Sequence, residues 1–457
     1  MTATRRLGVC DRPATSGLWL TRSRRGADVP GTSDPEESIM VRSPLRVAGL
    51  ALAILAAGSS ALAQTPGALP SPLRLVDAVR IAGERRAEID AARARTRAGE
   101  QRPTIVSALP DPMVSPSLDH LPFMWSGADV SVTIEQQIPL SGIRGHRRAS
   151  ALADVDRLRA ETGRAGLDVG LQAANAFLML QERQRTQALL SEQVAFARDV
   201  VAAANARYAA GTAPQSDVLR AEVEVARLEA LARALVSEVR GAESMFATSL
   251  GLDADTALPP LQPVVVTQPP PPWPALRAAL IERPELTAVR AEIARAEADV
   301  QVMRDMYRPM ATIRTGPSYT MTDGKGWMAM VGLSLPIWRG KLRAGVAEAQ
   351  AMRAMSEADL RAMTRMFEGE AATATNQVQA WRDRQDALNT NVLPRARMAI
   401  APAVAGYTAG QLPLVSVIEA VQALWTVQAD VIVADVELGL AWVRLGRAIG
   451  SYEEVLR

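Results

Sequence analysis

The chain has 457 residues, a formal net charge of +2, one cysteine and an aromatic content of only 4%. A charge this close to neutral does not support a nucleic-acid partner. Length alone suggests about three domains. However, the recurrence of Ala and Arg with so few aromatic residues is typical of long helices with narrow apolar seams, and it argues against a broad globular core.

The N-terminus predicts an export signal. Arg42 and Arg46 precede an apolar run over residues 47–57, and Ala61-Leu62-Ala63 precedes Gln64. This is the order of a charged n-region, an h-region and an A-x-A cleavage site. We therefore interpret residues 40–63 as a signal peptide.

Because a signal peptide belongs at the very N-terminus, Met40 is the expected start. Residues 1–39 are then an over-extended gene start, with a translated cytoplasmic extension as the alternative. Residues 1–63 hold eight Arg and five acidic residues, so the exported chain has a net charge of −1. It also has no cysteine for a disulfide, a thiolate metal site or a nucleophile, since Cys10 lies before the signal.

The first half predicts a helix, two strands and two further helices. A helical pattern over residues 70–101 is followed by five prolines that exclude a long helix up to about residue 125. Residues 129–140, DVSVTIEQQIPL, alternate like a barrel strand with one apolar face, and residues 114–118 are a weaker strand that could pair with them. From 143 to about 208 proline is absent, which predicts a helix of roughly 100 Å. Another helix follows over residues 216–250.

The second half repeats this plan after residues 267–274, TQPPPPWP, which predict an extended linker. The elements predicted after it are a helix at 283–307, strands at 311–320 and 327–337 around a turn at 323–326, a mostly helical stretch at 342–406 kinked by Pro394 and Pro402, and a final helix at 415–449. No run of 18 uncharged apolar residues follows the signal, so a transmembrane helix is not expected.

Two turns mark this tandem repeat. Gly211 and Gly410 both end a Tyr-x-x-Gly motif and are 199 residues apart, and a proline follows each glycine three residues later. Glycine can take the left-handed conformation that ends a helix, and proline suits the start of the next one. We expect one structural repeat over residues 64–266 and a second over residues 275–457.

The plan resembles the TolC-like outer-membrane efflux channels, or outer membrane factors, of Gram-negative bacteria. The resemblance is carried by IEQQIPLSGIRGHRRA and GLSLPIWRGKLRAGVAEAQA at the strand-to-helix junctions, by ERPELTAVRAEIARAEADV, and by the two turns. It implies an α+β membrane protein. Tandem-repeat α-helical hairpins would form a periplasmic α-barrel, and four β-strands per chain would contribute to a trimeric twelve-stranded outer-membrane β-barrel. Four strands cannot close a barrel alone, and open edges are not tolerated in lipid, so the physics also favours assembly.

The resemblance implies a homotrimeric channel in the lipid of the outer membrane. It would passively conduct substrate to the exterior from a cation-driven inner-membrane pump and a periplasmic adaptor, or membrane fusion protein. The stretch LPDPMVSPSLDHLP most resembles the heavy-metal efflux branch. A channel for drug efflux or type I secretion is the alternative within this class. A periplasmic coiled-coil adaptor or scaffold is the alternative of another class, although an adaptor has no reason to carry two alternating strand hairpins.

The resemblance places the two turns at the periplasmic end of the tunnel. It assigns docking of the adaptor to Gly211, Thr212, Gly410 and Gln411 and their flanks. The simpler interpretation is that the two glycines only turn the hairpins.

Aligned on the turn glycines, the periplasmic gate of the family falls on Asp217, Tyr407, Ser416 and Glu419. The Arg of the family's gate network falls on Leu412, so that charge pair is missing here. Ser416 and Glu419 are three residues apart and share one helical face. In a trimer, three Glu419 carboxylates would repel one another and attract cations. A solvated Glu419 on a helix surface is the alternative.

No catalytic, cofactor-binding or metal site is predicted. Met303, Met306 and Met310 have helical spacing and thioethers can ligate Cu(I), but methionine is more often a flexible core filler. His120 and His146 are too isolated for a zinc site. No nucleophile–base pair or phosphate loop occurs, so the energy for transport is expected from a partner.

Overall fold

The computed structural model describes residues 69–119 and 129–452. The predicted extension over residues 1–39, the predicted signal peptide over 40–63, and His120 lie outside the described residues. The helices are α1 Leu75–Arg85, α2 Ala87–Gly99, α3 Arg102–Ser107, α4 Ile143–Ala209, α5 Gln215–Ser249, α6 Trp273–Ile281, α7 Pro284–Asp305, α8 Arg339–Ala387, α9 Leu393–Thr408 and α10 Leu414–Ile449. The strands are β1 Met113–Asp119, β2 Asp129–Pro139, β3 Met310–Thr320 and β4 Gly324–Ser334.

The strands form one antiparallel sheet in the order β1-β2-β3-β4. The central pair joins the two halves of the sequence, because β2 lies against β3 with Glu135 opposite Arg314 and Pro139 opposite Met310. The two predicted hairpins are therefore parts of one continuous wall.

The register gives this sheet two different faces, since side chains alternate along each strand and paired residues share a face. One face, called here the apolar face, carries large exposed side chains. They are Val114, Leu118, Val130, Val132, Ile134, Ile313, Tyr319, Trp327, Val331 and Leu333. The opposite face, called here the polar face, carries Ser115, Ser117, Ser131, Thr133, Glu135, Gln137, Thr312, Arg314 and Ser318, together with Met328 and Met330.

α4 is the longest described helix, with 67 residues and a length of roughly 100 Å. Near its start it packs on α7, where Ser150 donates to Asp299 at 2.7 Å. In its last third it packs on α5, where Arg198 pairs with Glu229 at 2.6 Å. α10 packs on both α4 and α8. The described residues thus contain two long hairpins, α4–α5 and α8/α9–α10, held side by side.

The buried residues fall into three clusters. The largest joins α1, α4, α5 and α10 around an edge-to-face contact between Phe177 and Phe246, whose ring centroids are 5.6 Å apart. A second lies between α6, α8 and α10 around Phe367 and Trp442. The third lies at the hairpin ends and is described with the candidate site.

Several boundaries differ from the sequence-based expectation. β4 begins at Gly324 and ends at Ser334, three residues earlier than predicted at each end. The expected long helix is interrupted by a π-helical turn, Leu388–Val392, just before Pro394. Proline has no backbone N–H to donate, so the hydrogen-bond pattern must change there. α6 begins at Trp273, inside the predicted linker.

α10 also departs from the expectation that no transmembrane helix follows the signal. By length and composition alone it is apolar enough to cross a membrane. α10 contains no run of 18 uncharged residues, because Glu419 and Asp430 interrupt its apolar sequence. Its C-terminal part, from Val436 to Ile449, is largely buried, whereas only 22% of the 18-residue stretch that meets this criterion is buried.

Candidate gate at the hairpin ends

Each hairpin turns through a five-residue tip. The first tip is residues 210–214 and the second tip is residues 409–413. Gly211 and Gly410 adopt φ values of 71° and 75°, in the left-handed region where a side chain is strained. Thr212 and Gln411 follow them, and their backbone N–H groups donate to the carbonyls of Arg207 and Gly406 at 2.9 and 2.8 Å. The glycines are thus required by the turns themselves, and docking at these residues stays a prediction.

An apolar cluster joins the two tips. We call it the tip cluster, and it draws residues from α5, α9 and α10, with Phe196 and Val200 of α4 packed against it. Its buried members are Ala221, Ala403, Tyr407, Leu414, Val417 and Val421. The ends of the two hairpins are therefore held together by buried apolar surface as well as by polar contacts.

Tyr407 lies inside the tip cluster with only 3% of its surface exposed. Burial raises the pKa of its phenol above the ordinary value, and the nearby carboxylate of Asp217 raises it further. Asp217 is in the first turn of α5 and is half-buried. The structure therefore brings together two of the predicted gate residues. The Tyr407 hydroxyl has no hydrogen-bond partner among the described residues.

Arg207, which is not among the residues predicted from the sequence, completes this group. Its Nη1 donates to the backbone carbonyl of Tyr407, and its guanidinium carbon lies 4.4 Å from the centroid of the Tyr407 ring. Its Nη2 donates to the carbonyl of Thr212 at 3.0 Å. The only sequence signal is its position at the end of a helix, beside the Tyr-x-x-Gly motif. Nothing in the sequence indicates a contact with a residue 200 positions away.

The other two predicted gate residues lie on α10 and make no side-chain contact with this group among the described hydrogen bonds and ion pairs. Ser416 is half-buried and Glu419 is exposed. Leu412, which stands where the family's gate network has an arginine, makes an apolar contact in its place, because its side chain packs on Gly406. A Cβ at Gly406 would lie 2.6 Å from Leu412 Cδ1.

The polar face of the sheet carries an ion pair between Arg314 and Glu135. Arg314 on β3 donates two hydrogen bonds to Glu135 on β2. The Glu135 side chain is 10% exposed and that of Arg314 is 38% exposed. The guanidinium therefore covers the carboxylate, and the two charges largely cancel at this point of the polar face.

Comparison with known proteins gives a family match over part of the chain and a match in fold over most of it. Residues 275–451 match the outer membrane efflux protein family. The structure superimposes on the outer-membrane channel OprN with a TM-score of 0.71 and 18% identity, over 82% of this chain and 90% of that one. VceC from Vibrio cholerae gives 0.70 and 16%, over 82% and 96%. CusC gives 0.71 and 14%, over 82% and 92%. No curated protein matches the sequence. The expected TolC-like fold is confirmed.

Proposed function

We propose that this chain belongs to the outer membrane efflux protein family, whose model matches residues 275–451, and that it is the outer-membrane channel of a tripartite efflux system. In this role it conducts substrate passively from an inner-membrane pump and a periplasmic adaptor to the exterior. Its sheet spans the outer membrane and its helical hairpins form a tunnel in the periplasm. The pump, which is driven by a cation gradient, supplies the energy.

The observation that carries this proposal is the sheet with two faces. An apolar face of large exposed side chains suits lipid, and a polar face suits a water-filled interior. β2 has 11 residues, which is roughly 36 Å of strand and long enough to cross the hydrocarbon layer at a tilt. A periplasmic adaptor or scaffold would expose the same apolar face to water, which disfavours that alternative.

The edges of the sheet support assembly as a homotrimer. β1 and β4 are its outer strands, and each has one edge without a partner strand among the described residues. In lipid such an edge must be paired, since no water is present to satisfy it. Three copies would provide twelve strands and join β4 of one chain to β1 of the next.

Membrane fractionation tests this assembly. We expect the chain in the outer-membrane fraction, migrating in gels as a trimer before heating and as a monomer after it. Recovery only from the soluble periplasm would contradict the channel and favour the adaptor.

As cargo we propose heavy-metal cations. The support is the stretch LPDPMVSPSLDHLP and the carboxylate of Glu419 near the second tip. Deletion of the gene should lower tolerance to zinc, cobalt, cadmium or copper while tolerance to drugs stays unchanged. A loss of drug tolerance alone would favour the alternative of a drug-efflux channel, and loss of an exported protein would favour type I secretion.

At the periplasmic mouth we propose a gate formed by Asp217, Tyr407, Ser416 and Glu419. Adaptor docking is proposed at the tip residues, namely Gly211, Thr212, Gly410 and Gln411. Three Glu419 carboxylates in a trimer would concentrate cations at the mouth.

The Glu419→Ala variant tests the proposed ring of carboxylates. It should weaken the block of trimer conductance by divalent cations in planar bilayers, because the binding charge is lost. Glu222→Ala is the matched control, since Glu222 is an exposed carboxylate on the neighbouring helix α5, and it should be blocked like the wild type. If divalent cations block both variants to the same degree, Glu419 is not part of the gate.

A further inference from the structure

One face of α8 carries a line of methionine side chains, called here the methionine stripe. Its members are Met352, Met355, Met363 and Met366. Because a helix turns about 100° per residue, these four positions fall within an arc of about 80°. They form two pairs, and within each pair the residues are three apart, so their side chains are neighbours. The second pair lies roughly 16 Å further along the helix than the first.

The methionine stripe is not buried in the core of the chain. Met352, Met355 and Met366 are about half exposed, and Met363 only borders the buried cluster around Phe367. Methionine usually fills gaps in a core. Core filling therefore does not account for three of these four side chains, which remain accessible.

α7 adds another thioether to the same line. Gly345 lies seven residues before Met352, and seven residues are close to two full turns, so both lie on one face of α8. The Sδ atom of Met303 is 3.5 Å from the position that a Cβ on Gly345 would take. The thioethers thus continue along α8 towards the strands, where Met328 and Met330 lie on the polar face of the sheet.

The charges around the methionine stripe favour a cation. Glu348 and Asp359 are exposed and lie on the same face, before the first pair and between the two pairs. Among the described ion pairs, none uses either carboxylate. Arg353 is already held by two other carboxylates, and Arg361 and Arg365 lie on the opposite side of the helix. A cation beside the stripe is therefore attracted without a competing guanidinium.

Thioether ligands select one class of metal ion. Their neutral, polarisable sulfur suits the soft cation Cu(I) and, by the same chemistry, Ag(I). Zn(II) instead takes thiolate, imidazole or carboxylate ligands. Within the described residues, no group of three His, Cys, Asp or Glu could hold a metal ion. Sulfur is thus the donor that this surface offers, and each pair presents two sulfur atoms to one ion.

We propose that the methionine stripe binds soft monovalent cations, Cu(I) or Ag(I), with one ion at each pair. The stripe lies on a different part of the chain from the candidate gate at the tips. The binding stands without conduction. The consequence for transport rests on the proposed function, and it narrows the cargo from heavy-metal cations in general to the soft monovalent ones.

Equilibrium dialysis of the purified trimer against Ag(I) in chloride-free buffer, followed by metal analysis, tests the binding. Ag(I) is the probe because it keeps one oxidation state. We expect the wild type to hold one Ag(I) at each pair, and the four-leucine variant M352L/M355L/M363L/M366L to lose both. Leucine keeps the apolar volume and removes only the sulfur, so packing is preserved. An excess of Zn(II) should not displace the bound Ag(I).

Variants of one pair show whether the pairs act separately. M352L/M355L should lose one Ag(I) and keep the other. M355L alone should weaken binding at the first pair at least about tenfold, since a ligand contributes no less than the groups that orient it.

The matched control is M245L/M398L. It removes two methionines that are at least as exposed but isolated, one on α5 and one on α9. Its Ag(I) binding should equal that of the wild type. If the four-leucine variant does not assemble as a trimer, M352L/M355L and M363L/M366L make the same comparison one pair at a time.

In cells, the four-leucine variant should lower tolerance to silver and copper and leave tolerance to zinc and cobalt at the wild-type level. Loss of the bound Ag(I) without any loss of silver tolerance would overturn the role in transport.

Equal Ag(I) binding by the wild type, the four-leucine variant and the control would overturn the site, and the stripe would then be an apolar contact only. That result in a conducting trimer would leave the proposed channel intact. A trimer that binds Ag(I) at the stripe but carries no current would refute the channel and leave the site.

Discussion

Glu285 holds its negative charge inside the helical body, with only 7% of its surface exposed. Burial opposes its ionisation, but hydrogen bonds from Arg283 at 3.1 Å and Arg447 at 2.7 Å outweigh this and lower its pKa to about 2. Arg283 is fixed in turn by the carbonyl of Ala448 and by stacking 3.6 Å over the ring of Phe367. This cluster joins α7, α8 and α10 at the start of the second hairpin.

Replacing this carboxylate should destabilise the helical body. Because the pKa of Glu285 is lower in the folded chain than its ordinary 4.5, its stabilising effect is present above pH 4.5 and is lost as the pH falls towards 2. The effect is on the order of 3 kcal/mol. Glu285→Gln should therefore lower the melting temperature at pH 7, and its difference from the wild type should shrink below pH 4.5. Circular dichroism of the trimer in detergent measures both.

Glu282→Gln is the control for this prediction, because Glu282 is three residues away, exposed, and has no ion pair recorded within the described residues. It should melt like the wild type. If Glu285→Gln has the same melting temperature as the control at pH 7, the buried cluster has no stabilising role.

The sequence indicates some of the residues in these clusters but not the contacts that they make across the fold. It marks Arg283 and Glu285 as part of a helix start, and the repeat with the family resemblance selects Asp217 and Tyr407. The contact of Glu285 with Arg447 and that of Arg207 with Tyr407 join residues more than 150 positions apart. Side-chain reach across packed helices depends on their relative rotation, which periodicity does not specify.

At the scale of single elements, the predicted strands and helices agree closely with the structure. Alternation in β2 and the absence of proline in α4 are strong local signals, and both elements lie within a residue or two of their predicted bounds. Local signals are weaker where the chain changes direction without a glycine. The expected helix over residues 70–101 is divided at Arg86, which has extended backbone angles, and nothing in its sequence marks that break.

β2 lies very close to β3 at Gly316. A Cβ on Gly316 would lie 1.9 Å from the Val132 carbonyl oxygen, and Pro317 beside it cannot donate to the ladder. Gly316→Ala should therefore disrupt the pairing of the two sequence halves and strongly reduce the yield of heat-modifiable trimer.

Gly332→Ala is the control within the same sheet. A Cβ there would meet Thr312 at 3.7 Å, an ordinary contact, so trimer yield should stay at the wild-type level. Equal yields from both variants would contradict the register of β2 on β3.

At the scale of the whole molecule, the tandem repeat and the strand patterns, together with the resemblance to the TolC-like channels, predict the fold that the comparisons confirm. They do not predict which strands meet across the two halves, because every alternating strand could pair with any other. The structure resolves this with the order β1-β2-β3-β4. The trimer and its partners stay proposals, since one chain provides open sheet edges but no neighbour.

The central claim is that three copies of this chain enclose a pore. The most direct measurement is the current through a planar bilayer after addition of the purified, unheated trimer. We predict stepwise increases in conductance that disappear when the sample is heated to monomers before addition. Insertion of unheated trimer without any conductance would contradict the account.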